Sequence, residues 1–197
     1  MMRAIQGMSL LITGGGTGIG AGTAAYFVKH GARVTICGRR ADRIQATAKA
    51  LGPACHAVVA DITVASDRER LMNEAVTHGG GLDALVNTAA DMLRGPISEL
   101  REDDLLKVFH TNVVAAMMLT GLAVPHLEQR KGAVVLFGSV HTRRAYPGAS
   151  PYAATKGALE TLTKVIAAEV GDVSEADLAK VQSGIVRELL ALKGMVG

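Results

Sequence analysis

At 197 residues, 49% of them hydrophobic, the chain is long enough to bury one substantial core and short for two ordinary domains. Its net charge of +3 is mild, its basic residues are scattered apart from Arg39-Arg40 and Arg143-Arg144, and an aromatic content of 3% offers no stacking platform, so no nucleic-acid partner is expected. The apolar run at Met8–Ile12 is far below the roughly 20 residues that span a bilayer, and Cys37 and Cys55 match no metal spacing; buried reduced thiols, a cytoplasmic location and no membrane partner are expected.

Apolar strands alternate with helical stretches along the chain, which predicts an α/β protein with a parallel sheet covered on both faces. Strands are expected at Met8–Thr13, Arg33–Cys37, His56–Ala60, Ala84–Asn87 and Ala133–Phe137. Helices are expected at about Ile19–His30, Asp42–Leu51, Asp67–His78, Glu102–Leu127 and Tyr152–Val170, with another near Ser174–Leu192. Turn residues agree with these limits: Gly31 follows the first helix, Gly52-Pro53 the second and Gly79-Gly80-Gly81 the third.

Between the first strand and the first helix lies Gly14-Gly-Gly-Thr17-Gly18-Ile19-Gly20. Glycines there let the backbone turn sharply and approach a pyrophosphate, whose charge meets free N–H groups at the helix N-terminus. Such a turn also arises for packing alone. The second strand then runs into Gly38-Arg39-Arg40 with no carboxylate where an acidic residue would bind a free ribose 2′-hydroxyl. That favours NADP(H) over NAD(H), with Arg39 on the 2′-phosphate; solvated loop charges are the other reading.

Further along, Tyr152 and Lys156 stand four apart and share a helix face. A lysine ammonium stabilises a phenolate, which makes Tyr152 a proton-transfer candidate, although such pairs are common on exposed helices. The strand at Ala133–Phe137 ends at Gly138-Ser139 and brings a hydroxyl toward the same phenol. His110, His126 and His141 share no metal-ligand spacing and read as solvated or structural.

Taken together, these motifs resemble the short-chain dehydrogenase/reductase family from about Ser9 to Val170. Thr13-Gly-Gly-Gly-Thr-Gly-Ile-Gly20 resembles its cofactor turn, with Gly14, Gly16, Thr17, Gly18, Ile19 and Gly20 as cofactor-binding positions. Asp61-Ile62 resembles its adenine-contacting pair, and Asn87-Thr-Ala89-Ala its Asn-Asn-Ala-Gly segment. Asn112 falls at the family's helix asparagine, Ser139 at its serine and Tyr152 and Lys156 at its Tyr-x-x-x-Lys pair.

The resemblance implies a Rossmann-like doubly wound sheet and a single dinucleotide-binding domain over residues 1–197. It also implies an NAD(P)-dependent oxidoreductase acting on a small-molecule secondary alcohol or ketone, with a dimer or tetramer as its assembly. Tyr152 would exchange the proton, Ser139 would hold the substrate oxygen, Lys156 would bind the nicotinamide ribose and lower the tyrosine pKa, and Asn112 would position a relay water.

Departures from the pattern carry expectations of their own. Thr88 and Ala90 replace an asparagine and a glycine. After Val170 no sixth or seventh strand and no Asn-x-x-x-Pro-Gly turn is found, so the sheet is expected to lack the last one or two strands, with a divergent helical tail over 171–197 and Ala133–Phe137 at the sheet edge. A non-catalytic NADP(H)-binding or interaction protein is the alternative function. A sugar-nucleotide epimerase of the extended branch is a third reading, and the short C-terminal part argues against it.

Overall fold

In the computed structural model, which describes residues 5–170, the first strand forms the centre of the sheet. Every residue of β1 (Ser9–Thr13) is buried. Successive side chains of a strand point to opposite faces, so Leu10 and Ile12 enter one core while Leu11 enters the other. The strands β2 (Arg33–Gly38) and β4 (Ala84–Asn87) flank it, with β3 (Cys55–Val59) outside β2 and β5 (Ala133–Leu136) outside β4. All pairings are parallel and the order is β3-β2-β1-β4-β5.

This is the Rossmann-like doubly wound sheet that the alternation predicts. One face is covered by α1 (Gly18–Lys29) and α2 (Ala41–Leu51), whose Ala24 and Ile44 pack on Leu10, Ile12, Val34 and Ile36. The other is covered by α3 (Ala65–Gly79) and α5 (Ala115–Arg130), which bring Leu71, Ala75, Leu119 and Ala123 against Leu11, Cys37 and Leu85. Strand addition reverses between β1 and β4, and the crevice beyond their carboxyl ends is where such sheets bind ligands. The described residues fall into two units divided after Leu159; α6 (Ser150–Val170) supplies Ser150–Leu159 to the first and Glu160–Val170 to the second.

Two elements differ from expectation. The helix predicted over Glu102–Leu127 is α4 (Glu102–Phe109) and α5 joined by one π-helical turn at His110–Val114. A π turn admits one residue more than an α turn and shifts the side chains that follow, and this one carries the buried Asn112. Within the Glu102–Arg130 run an 18-residue window of mean hydropathy 1.5 is long and apolar enough to cross a membrane by length and composition, yet 44% of that window is buried inside the protein. Packing on the sheet explains its apolar character, since Ala115, Leu119, Ala123 and Leu127 face the core.

At the other edge, β5 pairs only with β4 among the described residues. Ala133 is exposed and Val134, Val135 and Leu136 are half-buried, which fits the edge position expected of it. The expected loss of later strands and the helix at Ser174–Leu192 lie outside the described residues. Both cysteines are free and buried, and burial pushes the Cys37 thiol up to about 12 and that of Cys55 to about 11.

The entry into β1 depends on Asp83, which is 2% exposed. Its Oδ2 accepts the Ser9 N–H at 2.8 Å and lies 3.5 Å from the Arg130 guanidinium. Asp83→Ala leaves a buried donor without its charged acceptor and is expected to lower stability by about 2 kcal/mol, read as a lower urea midpoint with an unchanged slope.

Candidate active site

Strands β1, β4 and β5 end in register at Thr13, Asn87 and Leu136, so the residues that follow emerge side by side. Gly14 leaves β1 with φ 69°, and a Cβ there would stand 3.0 Å from the backbone of Ala89. At Gly20 a Cβ would lie 2.4 Å from the Gly14 carbonyl oxygen. The first turn of α1 thus rests on the end of β1 at a distance that only glycine permits. Thr17 caps that helix with extended backbone, and its side chain makes no hydrogen bond to the helix N–H groups, which leaves the first of them available to an anion.

The turn forms one wall of a cleft of about 420 Å³. Of the sequence-predicted cofactor residues, Gly14, Gly16, Thr17, Ile19 and Gly20 line this wall. Arg39, Asp61, Ile62 and Ala89 line it from the ends of β2, β3 and β4. Gly18 opens α1, and Asn87 is buried at the end of β4.

Charge in the cleft is more structured than the sequence reading allowed. Arg40 and Arg43 line it beside Arg39, and Arg40 Nη2 donates to the Thr17 hydroxyl at 3.4 Å. Arg39 Nη2 reaches Asp91 Oδ1 at 3.2 Å. Asp61 caps its own turn: its Oδ1 accepts from the Thr63 N–H at 2.9 Å and hydroxyl at 2.7 Å. Burial pushes the Asp61 carboxyl up, but these hydrogen bonds and the Arg39 charge outweigh it and hold it below the ordinary carboxylate value. Asp91 and Arg43 were not singled out from the sequence. Arg43 lies on the first turn of α2, two residues beyond its start, and that spacing from Arg40 was the available signal.

Ser139, Tyr152 and Lys156 meet where β5 runs into α6. Ser139 caps a short 3₁₀ turn at Val140–Thr142, and its Oγ accepts the His141 N–H at 3.3 Å and pairs with His141 Nδ1 at 3.0 Å. The His141 ring stands edge-on to that of Tyr152, with centroids 5.5 Å apart, and lies against Tyr146 at 4.5 Å. His141, expected to be solvated or structural, thus packs between Ser139 and the rings of Tyr146 and Tyr152. Lys156 is 3% exposed and donates to the Phe137 carbonyl at 2.8 Å. Its Nζ stands 5.6 Å from the centre of the Tyr152 ring. Burial lowers the Lys156 pKa from the ordinary lysine value.

Asn112 is 2% exposed and joins three segments. Its Oδ1 accepts the Asp91 N–H at 2.7 Å, and its Nδ2 donates to the Asp91 carbonyl at 2.9 Å and the Thr155 hydroxyl at 3.1 Å. The amide is thus engaged on protein groups, which leaves the Asn112 main chain for any part in a water relay. Thr88, in place of an asparagine, donates its hydroxyl to the Thr13 carbonyl, while the Ala89 N–H donates to Thr13 Oγ1 at 3.1 Å. These bonds tie β4 to the central strand where an amide was expected.

The residues fit a dinucleotide on grounds internal to the structure. Both polar atoms of the Asn87 amide, one residue before the cleft-lining Thr88, are buried without a hydrogen-bond partner, a condition that is costly unless a ligand or water meets it. Ile19 is 59% exposed and lines the cleft, as an apolar support for a ring would. Among the described residues no group of three or more His, Cys, Asp or Glu is placed to hold a metal.

A doubly wound sheet with a glycine-cradled cleft at its switch point, and a Tyr/Lys pair at the same end of the sheet, defines a dinucleotide-fold protein. The sequence model of the short chain dehydrogenase family matches residues 9–188, and the chain belongs to that family. It is 34% identical to a hydroxynaphthalene reductase of Aspergillus fumigatus, over 85% of this chain and 62% of that protein. It is 32% identical to an oxidoreductase of Sarocladium schorii, over 98% of this chain and 81% of the relative. The chain spans less than two-thirds of the length of several such relatives. Among solved structures it resembles a 3-ketoacyl-(acyl-carrier-protein) reductase of Brucella melitensis in complex with NADH, with TM-score 0.80 and 29% identity, covering 84% of this chain and 71% of the other. A short-chain dehydrogenase/reductase of Serratia marcescens matches with TM-score 0.80 and 33% identity, covering 85% and 70%.

The buried lysine gives the site a stability signature. Its folded pKa lies below the ordinary value of 10.5, so between the two values the folded chain binds fewer protons than the unfolded one, and stability rises with pH. In Lys156→Met that increment disappears. The urea-midpoint difference between the two proteins should move in favour of the native residue as pH rises toward 10.5 and level off above it.

Proposed function

We propose that the chain is an oxidoreductase that takes NADP(H) in preference to NAD(H) and interconverts a small secondary alcohol and its ketone. The observation that carries this reading is the buried Lys156 beside the Tyr152 ring, at the same end of the sheet as the glycine-lined cleft. A cation held that near a phenol is an arrangement in which a tyrosine can serve as a proton donor and acceptor. Names of relatives agree in kind, since those compared above are reductases, dehydrogenases or oxidoreductases.

In this reading the nicotinamide, when bound, supplies or takes up the hydride at the carbon of the substrate. Tyr152 delivers the proton to the substrate oxygen during reduction and removes it during oxidation. Ser139, oriented by its two bonds to His141, holds that oxygen in place. Lys156 binds the nicotinamide ribose and stands beside the phenol. Gly14, Gly16 and the N-terminus of α1 hold the phosphates, Asp61 and Ile62 face the adenine, and Arg39, with Arg40 and Arg43 close by, takes the 2′-phosphate. The substrate is a small carbonyl compound or alcohol. We further propose a homo-oligomer formed through the helix over Glu102–Arg130, on which Leu106, Met117 and Met118 are exposed. The free buried thiols suit a cytoplasmic setting.

The test is calorimetric binding of NADPH and NADH, followed by a ketone panel. Arg39→Ala should weaken NADPH about tenfold or more, the worth of a charged hydrogen bond, without comparable loss for NADH; equal losses, or none, would refute the preference. Tyr152→Phe should keep cofactor binding and lose about a hundredfold or more in turnover. Binding with no Tyr152-dependent turnover would point to a non-catalytic dinucleotide-binding protein.

A further inference from the structure

The end of β2 carries no acidic residue, but an acidic residue reaches it from across the cleft. Arg39 follows β2 and Asp91 follows β4, on opposite sides of β1. Their 3.2 Å ion pair therefore crosses the mouth of the central strand. The two partners are held unequally. Asp91 is fixed through its N–H and carbonyl to Asn112, and its Oδ2 accepts the Thr111 hydroxyl at 3.2 Å. Arg39 is a long side chain with 55% of its surface exposed, able to swing while its partner stays in place.

We propose that Asp91 is a specificity-determining residue of the dinucleotide site: its carboxylate competes with a cofactor 2′-phosphate for the Arg39 guanidinium and so narrows the preference for NADP(H). The proposal rests on the reading of this cleft as an NAD(P)(H) site and of Arg39 as its 2′-phosphate ligand. The Arg39 Nη2 group is engaged by Asp91 Oδ1 at 3.2 Å, and the reach of the side chain that this contact sets must change for the guanidinium to close on a phosphate with both of its Nη groups. With NAD(H) bound, Arg39 keeps Asp91; with NADP(H) bound, it exchanges Asp91 for the phosphate. The preference is then the difference between two anions on one cation, and it is smaller than an unopposed arginine would give. Arg40 and Arg43 line the cleft beside Arg39 and add positive charge to either state, and Asp61, which feels the Arg39 charge without an ion pair to it, is present in both.

Asp91→Asn removes the charge while keeping an oxygen for Thr111 and leaving the backbone bonds to Asn112. Calorimetric titration of the full chain should show NADPH binding tightened about two- to fivefold, the worth of an exposed ion pair, with NADH nearly unchanged. The gain should shrink as salt is raised. Adding Asp91→Asn to Arg39→Ala should bring no gain, because the competitor then has nothing to compete for. Asp91→Ser provides a second uncharged variant should the first fail to fold. Equal tightening of both cofactors, no tightening of either, or a gain that persists without Arg39 would overturn the proposal. If the native chain binds neither cofactor, the reading of the cleft itself fails; if Arg39→Ala weakens NADPH while Asp91→Asn changes nothing, only the competition fails.

Discussion

The site depends on one close approach, that of the first turn of α1 to the end of β1. With a Cβ at Gly20 only 2.4 Å from the Gly14 carbonyl, any side chain there would lift the helix from the strand, and with it the N–H groups that face the cleft. The approach is anchored from below because β1 is buried along its whole length between β2 and β4. It is anchored from the side because Thr13 receives the Thr88 hydroxyl at its carbonyl and the Ala89 N–H at its Oγ1. Packing and ligand recognition make the same demand of these glycines, which is why a packing explanation and a binding explanation of the turn need not compete.

Much of this was legible in the sequence, and the reasons are physical. Central parallel strands are apolar on both faces, so β1, β2 and β4 stand out as short apolar runs bounded by turn residues. The Tyr152/Lys156 pair was legible because a helix converts a spacing of four into proximity. Less accessible were features that depend on two distant segments meeting. The π turn at His110–Val114 has no periodic signature strong enough to separate it from an α-helix, since it alters the register by a single residue. Asp91 lies in a loop, and its meeting with Arg39 follows from strand order, which local patterns do not encode. His141 was read as structural because a lone histidine usually is; only the fold of the Ser139 turn brings its ring back onto the serine.

Charge is arranged differently at the two ends of the site. Around the glycine turn, arginines and aspartates are partly exposed and paired across open space, where water and salt moderate each interaction. Around Tyr152, the cation is buried and its ammonium is fixed to the Phe137 carbonyl. The first environment suits recognition of a charged ligand that must enter and leave. The second holds its polar groups in one arrangement, with little freedom to reorient.

Asn112 gives these two environments a common fate. Its amide grips the backbone at Asp91, on the wall of the cleft, and the hydroxyl of Thr155, on the helix between Tyr152 and Lys156. Local opening of a protein follows the units that its hydrogen bonds connect. The loop after β4 and the first turns of α6 lie far apart in sequence, yet they form one such unit. Backbone amides in both should exchange with solvent at similar, slow rates. A fluctuation that loosens the cleft wall will also release the first turns of α6, so that the two are lost or kept as a whole.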